Sequence, residues 1–165
     1  MQTKEIMTWH PVCCSAGDSM KDVAQLMRDH DCGCVPIVDE QSGSLVGIVT
    51  DRDLAVRGLA SGKSPDTRVG DLMTPNPICC GPDDDVRAVE RKMANNQIRR
   101  IPIVDSARCC LGIVAQADLA RAANAAEGKG ERLTDREVAI VVERISEPGH
   151  QRYDRGVSQE LEQPF

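Results

Sequence analysis

Apolar residues recur along this chain at two different spacings, and the alternation between them predicts its elements. Residues 12–14, 34–38, 45–49 and 78–80 are short runs of β-branched and small apolar residues, the pattern of buried strands. The runs at 34–38 and 45–49 are joined by the turn-forming sequence DEQSGS, and a hairpin with the corresponding closing strand CCLGIV follows later in the chain. Between these runs the spacing becomes helical. Val23, Leu26, Met27 and His30 share one helical face behind Asp18 or Ser19, either of which can cap the helix, and Val86, Val89 and Met93 do the same in a helix at about 84–96. Further helices are predicted to start at TDRDLAVRGLA and AQADLARAANA. In a last helix at 134–145, Thr-Asp-Arg-Glu forms a capping box and Val138, Val141, Val142 and Ile145 form an apolar stripe, destined either to pack back on the rest of the chain or to meet a partner. From His150 onward the chain is polar and predicted to be mobile.

These elements repeat. Residues 7–39 match residues 73–105 at a constant offset of 66, with twelve identities that include Met7/Met73, Thr8/Thr74, Pro11/Pro77, Cys13/Cys79, Cys14/Cys80, Pro36/Pro102 and Asp39/Asp105. Average composition would give roughly two identities over such a stretch. After a one-residue deletion the match resumes at an offset of 65, pairing GIV at 47–49 with GIV at 112–114 and Asp53-Leu54-Ala55 with Asp118-Leu119-Ala120. The duplication predicts an α+β fold of two β-α-β-β-α copies packed with pseudo-two-fold symmetry, since one such copy is too small to bury its own core. The copies are placed at 3–60 and 73–126, with a Gly/Ser/Pro-rich connector at 61–72 and a C-terminal helix and polar tail at 131–165.

The segments MTxxPxxC, IPIVD and GIVTDRDL, in this order, resemble the CBS domain, and their tandem resembles a CBS-domain pair, or Bateman module, of the small stand-alone bacterial kind. The likeness covers about residues 3–125. It implies a regulatory module that binds an adenosine-containing ligand, AMP, ADP, ATP or S-adenosylmethionine, between the copies. The residues themselves suit this. Thr50 stands where a strand gives way to a helix, so its hydroxyl and the first-turn N–H groups are expected to face a phosphate, and Asp53 lies one turn on, where a carboxylate can accept from ribose hydroxyls. Thr-x-x-Asp is equally a capping box that needs no ligand. In the second copy Ala115 replaces the threonine while Asp118 remains. Sites in the family combine the Thr-x-x-Asp turn of one copy with strands of the other. The resemblance therefore implies a first site of Thr50, Asp51, Arg52, Asp53, Ile78, Arg99, Arg100 and Ile101. It implies a second, weaker site of Val12, Gly33, Cys34, Val35, Ala115 and Asp118. At most one of Arg99 and Arg100 is expected to reach the ligand, because two successive residues point to opposite faces if the strand has begun there. With an uncharged lining, the second site is expected to take a less charged adenosine derivative or nothing. Adenine is expected between aliphatic side chains such as Ile78 and Ile101.

Charge and composition narrow the remaining classes. The chain has 26 acidic against 20 basic residues, a formal charge of −6 and no long basic run, which argues against nucleic acid and anionic membranes as partners. No apolar run reaches the ~18 residues of a membrane span, and the start MQTKEIMTWHP has no signal-peptide h-region, so a cytoplasmic location is expected. No catalytic constellation is visible, so an enzyme is not expected. No cofactor is required by this reading, no histidine pair has metal-ligand spacing, and a homodimer with an unidentified protein target is expected. Eight cysteines, mostly as Cys-Cys pairs, lack CxxC spacing and read as small core residues. A ligand-free interaction module and a thiol-based redox or metal-binding module stay open as alternatives.

Overall fold

The structure, a computed structural model, describes residues 1–124 and 134–146; the polar tail predicted from His150 lies outside the described residues. Its strands and helices run β1 (Thr8–Trp9), α1 (Met20–Asp29), β2 (Cys34–Val38), β3 (Leu45–Thr50), α2 (Asp51–Asp53), β4 (Thr74–Pro75), α3 (Val86–Asn96), β5 (Arg100–Val104), β6 (Cys110–Ala115), α4 (Gln116–Asn124) and α5 (Asp135–Ser146). The predicted tandem α+β architecture is present, with one three-stranded sheet and one core for each copy.

The first strand of each copy differs from expectation in place and in partner. Residues 12–14 and 78–80 contribute only single parallel bridges, Cys14 to Ile37 and Cys80 to Ile103. Pro11 and Pro77 have no N–H to give a ladder, and His10 and Asn76 just before them have φ of 50° and 46°, which turns the chain out of an extended line. The true leading strands lie earlier and are exchanged. β1 runs antiparallel to β6 of the second repeat, with Thr8 opposite Ile113 and Trp9 opposite Gly112, and β4 runs antiparallel to β3 of the first repeat, with Gly47 opposite Pro75 and Ile48 opposite Thr74.

The segments leading into these strands follow the same exchange. The 3-10 turn Thr3–Glu5 docks on the second repeat, where the Thr3 N–H donates to Asp84 O at 2.9 Å, and Met7 is buried in that repeat's core with Val89, Met93 and Ile103. Within the stretch read as a connector, the turn Val69–Asp71 docks on the first repeat in the same manner: the Val69 N–H donates to Asp18 O at 2.8 Å, and Val69 and Leu72 are buried with Val23, Ile37 and Val49. Each sheet and each core therefore needs residues from the other copy.

Local sequence explains the helices. Ser19 caps α1 by accepting from the Asp22 N–H, and Asp85 caps α3 by accepting from the Arg87 N–H. Val23, Met27, Val86, Val89 and Met93 face the cores as their spacing predicts, whereas His30 departs from that face because it is the exposed C-cap of α1. After α2 the chain continues through a π-helical turn at Leu54–Gly58 and a 3-10 turn at Leu59–Ser61 rather than as one regular helix. The α5 stripe packs back on the second repeat, burying Val141 and Ile145 against its core, and the Thr134–Glu137 capping box forms, with the Glu137 N–H donating to Thr134 Oγ1 at 3.2 Å.

At this α3–α5 contact Glu90 is 5% exposed and its Oε1 has no hydrogen-bond partner among the described residues. Burial, reinforced by the like charge of Glu137 and opposed by Arg87 and Arg91, pushes its carboxyl up to about 7 from 4.5. The folded protein thus holds this proton where the unfolded chain has lost it, so its stabilising effect is full at acid pH and fades between pH 4.5 and about 7. Glu90→Gln should remove that part of the pH dependence in urea melts, and should raise stability at pH 8 by up to about 3 kcal/mol, because a neutral amide avoids the cost of ionising a buried carboxyl. An unchanged pH profile would show that the carboxyl is solvated.

The exchanged strands predict a second, graded effect. A Cβ on Gly112 would lie 2.6 Å from Met7 Sδ and 2.9 Å from the Thr8 carbonyl oxygen, while the atoms nearest to one on Gly47 all belong to the flexible Met73 side chain. Gly112→Ala should therefore cost about 1–3 kcal/mol, the usual scale of overpacking, and more than Gly47→Ala, as read by chemical denaturation.

Candidate ligand site between the repeats

The strand ends nearest the Thr50–Asp53 turn and its Ala115–Asp118 counterpart are set by register. Cys34 lies opposite Thr50 in the first sheet, and Arg100 lies opposite Ala115 in the second. The Asp51 N–H donates to Gly33 O at 3.3 Å, and its counterpart, the Gln116 N–H, donates to Arg99 O at 2.9 Å. Each turn is thus tied to the strand beside it in its own repeat.

One side chain crosses between the repeats at this point. A Cβ placed on Gly33 would lie 2.8 Å from Asp51 Oδ2 and 2.9 Å from Arg100 Nη2, so the guanidinium of the second repeat and the carboxylate of the first close in on a position that only glycine leaves open. Cys34 senses the same charges. Burial raises its thiol to about 12, opposed by Arg100 and reinforced by Cys32, Asp51 and Asp53. Arg99 lies in the bend just before β5 and is exposed, so the alternation expected of neighbours on a strand does not apply to this pair.

The Thr50 turn is already closed on itself. The Thr50 N–H and hydroxyl both donate to Asp53 Oδ2, at 2.9 and 2.7 Å, and the Asp53 N–H donates back to Thr50 Oγ1 at 3.2 Å. The other carboxylate oxygen, Oδ1, lies 3.4 Å from Arg57 Nε. The first-turn N–H groups expected to face a phosphate are taken up as well: that of Asp51 by Gly33 O, that of Arg52 by Asp51 Oδ1 at 2.8 Å and that of Asp53 by Thr50. Polar side chains at a helix start satisfy its orphan donors, and here they leave none over. The second copy repeats the plan without the hydroxyl. The Ala115 N–H donates to Asp118 Oδ2 at 2.7 Å, and Arg121 pairs with Asp118 Oδ1.

The remaining predicted residues are divided. Ile101 and Val35 are fully buried in the cores of the second and first repeats, because β5 and β2 turn these positions inward, so neither lines an opening. Ile78 is 38% exposed and Val12 is partly buried. Gly33 and Cys34, read from sequence together with Ala115 and Asp118, stand beside Thr50 and Asp51, and Arg100 links them to the second repeat. Arg57 and Arg121 were missed, although their spacing of four and three residues from the aspartates was visible. Two hollows lie elsewhere on the second repeat: one of about 210 Å³ between α3 and α5, lined by Arg87, Glu90, Arg91 and Ile140, and one of about 540 Å³ beside Cys79, Asp84 and Lys92. Among the described residues no three His, Cys, Asp or Glu side chains are placed to hold a metal ion, and no helix is long and apolar enough to cross a membrane.

Comparison with known proteins places this arrangement. The family model described as CBS domain matches residues 4–58 and again residues 69–125. The uncharacterized protein YlbB of Bacillus subtilis is 38% identical over 132 residues, covering 80% of this chain and 88% of its own. The crystallised CBS domain pair of protein MJ0100, in complex with 5'-methylthioadenosine and S-adenosyl-L-methionine, is 34% identical with a TM-score of 0.68, covering 73% of this chain and 94% of its own. A structure of CBSX2 in complex with AMP is 26% identical with a TM-score of 0.65, covering 75% and 96% of the two chains.

Proposed function

This chain belongs to the CBS-domain family as a tandem pair of its repeats, and on that premise we propose that it is a regulatory module that binds an adenosine-containing ligand at the junction of Thr50, Asp53 and Arg100. The observation that carries the reading is the reach of Arg100 from the second repeat over Gly33 to the turn of the first. A ligand held there touches both repeats at once, so its binding energy can bias how they pack and what surface they offer to a protein target or to a second copy of the chain. The complexes of neighbouring CBS pairs with AMP and S-adenosyl-L-methionine support this ligand class.

In this proposal Asp53 Oδ1 accepts from the ribose hydroxyls, displacing Arg57, while Oδ2 keeps its capping role. Arg100 pairs with a phosphate, since the first-turn N–H groups are engaged, and adenine rests on exposed aliphatic surface such as Ile78. The Ala115–Asp118 turn, with no hydroxyl, takes a less charged adenosine derivative or none.

Calorimetric titration with AMP, ADP, ATP and S-adenosylmethionine checks the assignment. Hydrogen bonds to charged groups contribute about 1.5–3 kcal/mol, so Asp53→Ala should weaken binding of every ligand by roughly 10–100-fold. Arg100→Ala should weaken the phosphorylated ligands and leave S-adenosylmethionine little changed. Absence of heat from all four ligands at millimolar concentration with the parent protein, or equal affinity in Asp53→Ala, would sink the reading.

A further inference from the structure

Helix α5 belongs to neither repeat, and the duplication shows what it covers. It lies along the face of α3 formed by Arg87, Glu90, Arg91 and Ala94, with the hollow of about 210 Å³ between the two helices. At the offset of 66 the same face of α1 consists of Lys21, Ala24, Gln25 and Arg28, and all four are exposed. In α3, by contrast, Glu90 and Ala94 are buried, at 5% and 8% exposure. The added helix is therefore what takes this glutamate out of water.

Glutamate suits an exposed helix face, and under a cover it needs a partner to stay ionised. Glu90 Oε1 has no hydrogen-bond partner among the described residues. The charges around it are mixed. Arg87 and Arg91 stand on its own helix, with Asp85 at the start of that helix 4.0 Å from the N-terminal ammonium, and Glu137 and Arg144 face it from α5. Arg87 shares its charge with Glu137, whose Oε1 is 3.6 Å from Arg87 Nε. Helix α4, which also packs on α5, contributes no residue to the hollow.

We propose that α5 is a pH-gated cover, which lies on α3 while Glu90 carries its proton and lifts off when Glu90 ionises, opening the apolar stripe of α5 and the α3 face beneath it. The sign follows from solvation. With α5 docked, burial and the like charge of Glu137 hold the proton up to about 7, and with α5 lifted the carboxyl regains water and its ordinary value of 4.5. The docked form binds the proton more tightly, so docking is strongest below pH 4.5 and weakens by up to about tenfold per pH unit until about pH 7. The attachment is small enough to open without the repeats: among the described side chains of α5 only Val141 and Ile145 are buried. A lifted helix of 12 residues is marginal in water, so opening also exposes its backbone to exchange.

Hydrogen exchange of the full-length chain at pH 5 and pH 8, followed by mass spectrometry and expressed as protection factors that remove the intrinsic pH dependence of exchange, reads the cover directly. Peptides of α5 should lose about 10–100-fold in protection between the two pH values while β5 and β6 keep theirs. Glu90→Ala, which installs the residue found at the equivalent exposed position of the first repeat, and Glu90→Gln should each leave α5 equally protected at both. Equal protection of α5 at pH 5 and pH 8 in the parent chain, no protection at either, a loss shared by β5 and β6, or a loss that persists in both variants would overturn the proposal.

Discussion

Each repeat is completed by the other's leading segment, and the rest of the structure depends on that exchange. β1 sits on β6 and β4 sits on β3, with Met7 and Met73 over the glycines at 112 and 47. A three-stranded sheet with two helices cannot bury enough apolar surface to offset its ordering entropy. Exchanging strands joins two such units into one cooperative body: Met7 fills the second core while Val69 and Leu72 fill the first. The glycines are part of this constraint, because a side chain at Gly112 would drive into the backbone of the arriving strand.

The polar junction follows from the same packing. The Thr50–Asp53 turn and its Ala115–Asp118 counterpart stand at strand ends beside the neighbouring strand of their own sheet, and the joining of the repeats brings Arg100 across Gly33 to Asp51. Within each turn the aspartate divides its work: one oxygen caps the helix start and the other holds an arginine. That division reconciles two readings of one motif, since a capping role occupies only Oδ2 and leaves Oδ1 engaged by an arginine that a better-placed donor can replace.

The cysteines show how equal sequence positions acquire unequal chemistry. Cys14 and Cys80 occur as a duplicated pair buried in equivalent cores, and there the thiol acts as a small apolar group. Cys13 and Cys79 each turn the thiol to a carbonyl two residues back, but the strands beyond them differ, since the second repeat carries Cys110 where the first carries the buried Leu45.

Some of this was legible in the sequence alone. The offset repetition determined that there are two copies, hydrophobic spacing located α1, α3 and α5 with their buried faces, and the cap residues Ser19 and Thr134 marked where helices begin, because these are local properties carried by a few neighbouring residues. Repetition also pointed to Thr50, Asp53, Ala115 and Asp118 as matched turns. Tertiary structure alone decided the partners. Two-residue strands such as Thr8–Trp9 carry no periodicity, and the positive φ of His10 and Asn76 is not written in their identities, so the exchange of strands was invisible. The same holds for Ile101 and Val35, which alternation alone could place on either face, and for Arg100 over Gly33. Those contacts join residues far apart in the chain, and they exist only because burial of two incomplete cores forces the repeats together.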